Sequence, residues 1–457
     1  MDSEITSPLD FQLLFLAWGS LIVVLFAVVR RNPGDTIALP LAFYFAMAFE
    51  YIGAIAYAVP GYTNVRIDGD QYLMTKDFRI ETVLEGLKLT TIGMAAFVAG
   101  VAIARPRSAL RRAQAFVPLQ ADRRCMLALA GLTAVGFATL IISLPLPMID
   151  AFAQVGRNAA IAYVCLGAAM ALSRGDRGAM VKWFLVGSLI PFAYLVLWGF
   201  MSYGFLAFTF VASFFTLRLS RIPTGLLRFL IATLVGGYGL LSVFVVYMSY
   251  RVELRQVLWS SAGFFDRLST IFTTFGNAQL LNPFDFSSLD WLTIRLNQAF
   301  FVGKVIEFHA IHENLWLNGE SLVLSFVAWI PRPLWPGKPE MGGSEFLSTH
   351  TGLDFASGVS FGAGQVIEFY VNFGTVGVIG GFFALGLIVQ WIDCKAGRAL
   401  SQGKLLTFAK YATIGLAFVR PLSDTFFIVN TAIASFLVFR AIEQVIPEGV
   451  YSPKPPR

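Results

Sequence analysis

Runs of about 20 apolar residues recur along this chain, and they restrict its fold more than any other feature. The hydrocarbon core of a bilayer holds no water for unpaired backbone N–H and C=O groups, so such a run crosses as a helix with internal hydrogen bonds. The runs lie at roughly 11–29, 37–59, 84–104, 125–145, 158–173, 183–200, 204–219, 227–249, 368–392, 405–420 and 424–440. A hydrophobic fraction of 56% is far above that of a soluble domain of comparable length. The expected fold is an all-α polytopic membrane protein with about 11 transmembrane helices. The N-terminal MDSEITSPLD lacks the basic region of a cleaved signal, so the first run is expected to stay as an anchor.

A net charge of +6 raises the question of nucleic acid. The Lys and Arg residues answer it, because they cluster in short connections between apolar runs, where they set membrane orientation. The connections holding Arg30 and Arg31, Arg105 to Arg124, Arg174 to Lys182, Leu217 to Arg228 and Cys394 to Lys404, with the C-terminal tail, carry 20 of the 34. Their side is cytoplasmic by the positive-inside rule, which puts the N-terminus outside and the C-terminus in the cytoplasm. Cys125, Cys165 and Cys394 fall in or beside predicted spans and suggest no disulfide framework.

On the outer side lie Gly61 to Glu81, Pro145 to Arg157 and a loop at 251–365, embedded in what reads as a single domain over 1–457. A loop of that length is expected to contain short helices and to be functional. Thr293 to His309 reads as one helix, with Leu292, Leu296, Ala299 and Ile306 at three- and four-residue steps. Ser321 to Ile330 is apolar but too short to cross.

Within the loop, IPRPLWPGKPE (Ile330 to Glu340) has four prolines in eleven residues, which excludes regular helix and makes a stiff cationic segment. Arg332 there reads two ways, as a bidentate phosphate ligand beside the flat face of Trp335, or as one half of an ion pair in a proline corner. Lys338 adds a second cation, and Arg251 opens the loop. Arg295 and Gln298, three apart on the predicted helix, form either another anion contact or a solvated face. At the start of the ninth run, Glu368 and Asn372 share a face with Tyr370 nearby, and Gly374, Gly377 and Gly380 are expected to let helices approach. Glu368 is either a base for a sugar hydroxyl or a partner of an arginine such as Arg332. His350 is a rival base. Glu50 lies within the second run, and Arg420 either joins an anion site or pairs with Asp424. No CxxC, HExxH, Walker A or GxGxxG-plus-acid arrangement occurs, so metal and nucleotide chemistry find no motif.

IPRPLWPGKP, followed some thirty residues later by EFYVNFGTVGVIG and preceded by RLNQ, resembles the bacterial oligosaccharide repeat-unit polymerases, the Wzy-type O-antigen and exopolysaccharide polymerases. The resemblance covers about a hundred residues, from Arg295 to roughly Leu385, together with the plan of many spans and one large outer loop. It implies a GT-C-like glycosyltransferase of the bacterial inner membrane whose active site faces the periplasm. Its substrates would be an undecaprenyl-pyrophosphate-linked glycan donor and a lipid-linked acceptor, with a chain-length regulator protein as a further partner. No cofactor or metal is needed if arginines supply the positive charge. By the same resemblance Arg332 and Arg295 look like phosphate-binding arginines, Lys338 a helper and Glu368 the leading base. Related alternatives are an O-antigen ligase, for which His350 would be the catalytic histidine, and a lipid-linked oligosaccharide flippase or other transporter.

Overall fold

The computed structural model describes residues 7–31, 36–62, 78–104, 119, 122–140, 147–198, 202–219, 225–258, 260, 263–276, 281–282, 285–327, 330, 334–336, 343–355 and 362–446. Among the described residues every regular element is a helix. The first nine are α1 (Pro8–Arg30), α2 (Leu39–Tyr51), α3 (Ile80–Ile103), α4 (Arg123–Ala138), α5 (Pro147–Ser173), α6 (Arg177–Ser188), α7 (Ile190–Trp198), α8 (Ser202–Leu219) and α9 (Gly225–Ser249). Six shorter helices follow in the long predicted loop: α10 (Arg251–Leu258), α11 (Phe264–Gly276), α12 (Phe286–Arg295), α13 (Gln298–Ile311), α14 (Glu320–Val327) and α15 (Gly343–Thr351). The chain closes with α16 (Gly364–Ser401), α17 (Leu405–Phe418) and α18 (Thr425–Val445).

Eight helical stretches among the described residues are long and apolar enough to cross a membrane: Pro8–Arg30, Leu39–Ala58, Ile80–Ile103, Phe152–Ser173, Arg177–Leu197, Leu226–Ser249, Gly364–Ser401 and Thr425–Val445. The chain is therefore an all-α, membrane-embedded protein. Tyr203–Leu217 and Leu405–Phe418 are apolar but shorter. The predicted fourth run corresponds to α4, which has 16 residues; the end of that run, at 141–145, lies outside the described residues.

Helix α3 organises the bundle. Its first half packs on α13 and its second half on α16, and glycines make both contacts close. A Cβ on Gly86 would fall on the Ala299 carbonyl oxygen, one on Gly303 on that of Thr82, and one on Gly100 on that of Phe383. Small residues at such crossings let backbones approach without a hydrophobic driving force between helices. Phe43 of α2 stacks on Phe97 of α3 at 4.4 Å between ring centroids, and Phe49 lies between Phe205 and Phe244. Helix α2 begins after Ala38, which has φ 69°, and no residue of its own first turn caps it. The cap comes from α16, where the fully buried Asp393 accepts the Ile37 and Leu39 N–H groups at 3.0 and 2.9 Å.

Two expectations need correction. Thr293 to His309 is not one helix, because α12 ends at Arg295 and α13 starts at Gln298. The Leu296 carbonyl leaves the helical ladder to accept Gly53 N–H at 2.7 Å, and Asn297 has the non-helical pair φ −116°, ψ 63°. Arg295 and Gln298 therefore do not share a helix face. The glycines after Asn372 also act differently from expectation. Gly374 has φ 60° and ψ −151° and kinks α16, a conformation open to glycine, while a Cβ on Gly377 would strike Phe369 and Phe373 of the same helix. Gly380 has nothing within 4 Å of its Cβ position.

Gly303→Val should drive α13 off α3. Overpacking at a backbone contact costs about 1–3 kcal/mol, so thermal unfolding in detergent should show a lowered midpoint and membranes a reduced yield. Gly19→Ala, where a Cβ meets open space, should leave both unchanged.

Candidate functional site

The α9–α10 junction sets the first cluster. With α10 beginning at Arg251, Arg251 and Arg255 are one helical turn apart on the same face. The buried phenol of Tyr247, at the end of α9, lies close enough to both guanidiniums to favour their charged form. Arg295, the last residue of α12, is close enough for its charge to act on both. Burial, with Arg255 and then Arg295 beside it, pushes Arg251 down to about 10, and burial lowers Arg255 as well. Arg251 Nε is buried without a hydrogen-bond partner. Three like charges gathered in a half-buried setting form a strong anion-attracting centre.

Glu50, in the last turn of α2, lies in the charge field of Arg295 and is 4% exposed. Their relative position is held on both sides. The 3-10 turn Ile52–Ala58 continues α2, and its Gly53 donates its N–H to Leu296 O and accepts Thr293 Oγ1 at 3.1 Å. Thr293 and Leu296 flank Arg295, and Gly53 is three residues beyond Glu50.

A second cluster surrounds the start of α16. Glu368 is buried, and its Oε2 accepts the N–H of Thr425, the first residue of α18, at 2.7 Å. Asn372 donates to Ser321 Oγ at 2.6 Å and accepts Gly319 N–H at 2.9 Å, tying α16 to α14. Burial pushes Asp424 up to about 6, against the backbone N–H groups of Gly343 and Gly364. Gln298 donates to Ala363 O at 3.2 Å and Gln365 to Arg420 O at 3.4 Å, which joins α13, α16 and the α17–α18 turn. The Arg420 guanidinium lies over the rings of Tyr203 and Phe427, at 5.5 and 5.2 Å from their centroids. Arg420 and the buried Arg157 of α5 both act on the Tyr194 phenol.

The third cluster is a histidine pair. His309 Nε2 and His350 Nδ1 are 3.0 Å apart and buried, so one ring donates and the other accepts. Trp316 stands edge-on to His309 at 4.7 Å, with Tyr370 at 6.2 Å and Phe346 against His350 at 4.5 Å. Burial, then the His309 ring, pushes His350 down to about 4; burial and His312 lower His309 too. Burial favours the uncharged form of both imidazoles.

Arg251 and Arg295 thus come together, Glu368 joins Asn372, His350 pairs with His309, whose ring lies near Tyr370, and Gln298 and Arg420 flank the Ala363–Gln365 turn. Trp335 is half-buried. Arg332 and Lys338 lie outside the described residues. Sequence reasoning missed Arg255, Tyr247, His309 and Arg157 as site residues. The four-residue spacing of Arg251 and Arg255 was the available signal for the first; no local pattern distinguishes the others.

Fold and clusters together define a class, an all-α membrane-embedded protein with a guanidinium centre at one end of the bundle. The chain belongs to the family described as Domain of unknown function (DUF8712), which matches residues 41–449. No curated protein and no solved structure matches the chain.

The histidine pair predicts acid lability. An unfolded histidine titrates near 6.5, above the folded value of about 4 for His350, so the unfolded state binds more protons between these limits. The His350 contribution is complete above pH 6.5 and is lost as pH falls toward 4. Thermal melts from pH 7 to 4 should show this decline, and His350→Gln should flatten it.

Proposed function

We propose that the protein is an inner-membrane polysaccharide polymerase of GT-C-like plan with eleven spans. It joins undecaprenyl-pyrophosphate-linked oligosaccharide repeat units on the periplasmic face. The observation that carries this reading is the gathering of Arg251 and Arg255 at Tyr247, with the charge of Arg295 acting on both. Glycosyl transfer from such a donor builds negative charge on the departing pyrophosphate, and fixed guanidiniums in a partly desolvated recess stabilise it where it develops. Arg332 and Lys338, which lie outside the described residues, keep the phosphate-binding role that the sequence resemblance implies. Trp335 offers a sugar ring a flat face, and Tyr370, Asn372, Gln298 and Arg420 contribute to the acceptor side. Glu368, bonded to the first turn of α18, holds that side in place.

A second reading, an O-antigen ligase that passes a finished glycan to a lipid A core, is favoured by the neutral His309–His350 pair, since an uncharged imidazole is able to accept a proton. Disruption of the gene separates the two. A polymerase defect leaves lipid-linked single repeat units without polymer, whereas a ligase defect leaves lipid-linked polymer; an unchanged surface glycan rejects both.

Complementation tests the grip. Arg295→Ala should lower polymer formation about 10²- to 10³-fold, the scale of losing one charge-stabilising donor. Arg295→Lys should recover only part, because an ammonium lacks the planar fork. Normal polymer from Arg295→Ala at normal protein level would remove Arg295 from the mechanism.

A further inference from the structure

Four carboxylates are buried among the described residues: Glu50, Asp290, Glu368 and Asp393. Three have clear structural partners. Asp290 accepts the Tyr62 hydroxyl at 3.2 Å, Glu368 accepts Thr425 N–H, and Asp393 accepts two N–H groups of the α2 start. Glu50 accepts no hydrogen bond from any described residue, although it sits inside a helix apolar enough to span a membrane. An ionisable group within a span is by default a functional one. The last turn of a helix is also where the macrodipole disfavours an anion, so the placement does not serve α2. What Glu50 does face is Arg295.

We propose that Glu50 is the general base of the transfer, a role resting on the polymerase reading. The acceptor hydroxyl oxygen forms its bond to the anomeric carbon of the donor glycan as its proton passes to the Glu50 carboxylate. The bond from that carbon to the pyrophosphate oxygen breaks, and its electron pair leaves on undecaprenyl pyrophosphate, held by Arg251, Arg255 and Arg295. The proton then passes from Glu50 to solvent, which restores the carboxylate. The hydrogen bonds from Gly53 and Thr293 across to α12 hold base and grip in register, so proton removal and leaving-group stabilisation occur at one place. Glu368, whose carboxylate is engaged by the Thr425 N–H, is less able to take the proton.

The test uses the full-length protein in lipid nanodiscs with purified undecaprenyl-pyrophosphate-linked repeat units as donor and acceptor. Glu50→Gln keeps the side-chain shape and removes the charge. Turnover should fall about 10²-fold or more, while equilibrium binding of the lipid-linked donor and the melting midpoint stay near wild type. Glu50→Asp, which keeps a carboxylate, should retain more turnover than Glu50→Gln. Were Glu50 only a counter-ion to Arg295, donor affinity would change in Glu50→Gln and turnover at saturation would not; that result overturns the proposal. Equal losses in the Gln and Asp variants also overturn it. If the wild-type protein makes no polymer, the polymerase reading falls and takes the base role with it. Wild-type polymerisation with an unimpaired Glu50→Gln removes only the base role.

Discussion

A charge inside an apolar bundle has to be met by something, and the different ways in which this chain meets its buried charges account for most of its organisation. Asp393 is met by the backbone of another helix and completes α2. Glu368 is met by the first turn of α18. Arg251 and Arg255 share a phenol, with a third guanidinium beside them. The first two arrangements consume the charge in architecture. The third gathers positive charge in one place, which is the electrostatic requirement for holding a diphosphate.

The architecture brings that centre together from parts remote in sequence. Glu50 arrives on α2, Arg251 and Arg255 on α10, and Arg295 on α12. None of them is directed by a local turn alone. The hydrogen bonds of Gly53 with Leu296 and Thr293 join the first and last of these elements, and the glycine crossings of α3 with α13 keep the following helix close against the bundle. The histidine pair does similar work for the short helices, joining α13 to α15 by one hydrogen bond among aromatic rings.

Hydropathy alone exposed the helical, membrane-embedded character, because the bilayer demand for internal hydrogen bonds acts on every run separately. It also marked 251–365 as a segment of short helices. Local periodicity failed where a long-range bond intervened: the Leu292–Ile306 pattern is helical throughout, and only the capture of the Leu296 carbonyl by Gly53 breaks it. The glycines after Asn372 looked like a contact stripe, yet the kink at Gly374 uses them within one helix. Arg251 and Arg295 were legible as cations of one loop. That they share a centre with Arg255 and face Glu50 depends on tertiary placement, which spacing along the chain does not encode.

The cap of α2 bears on how the protein is made. Ile37 and its cap Asp393 are 356 positions apart, so α2 is made long before the group that completes its first turn has been synthesised. Until α16 arrives, two amide protons of the α2 start must rely on water or lipid headgroups, and the second hairpin of the nascent chain cannot settle at its final depth. Assembly of the bundle is therefore closed by its C-terminal third, and a chain stopped before Asp393 would leave its earliest helices inserted but unlatched, in a form open to membrane proteolysis.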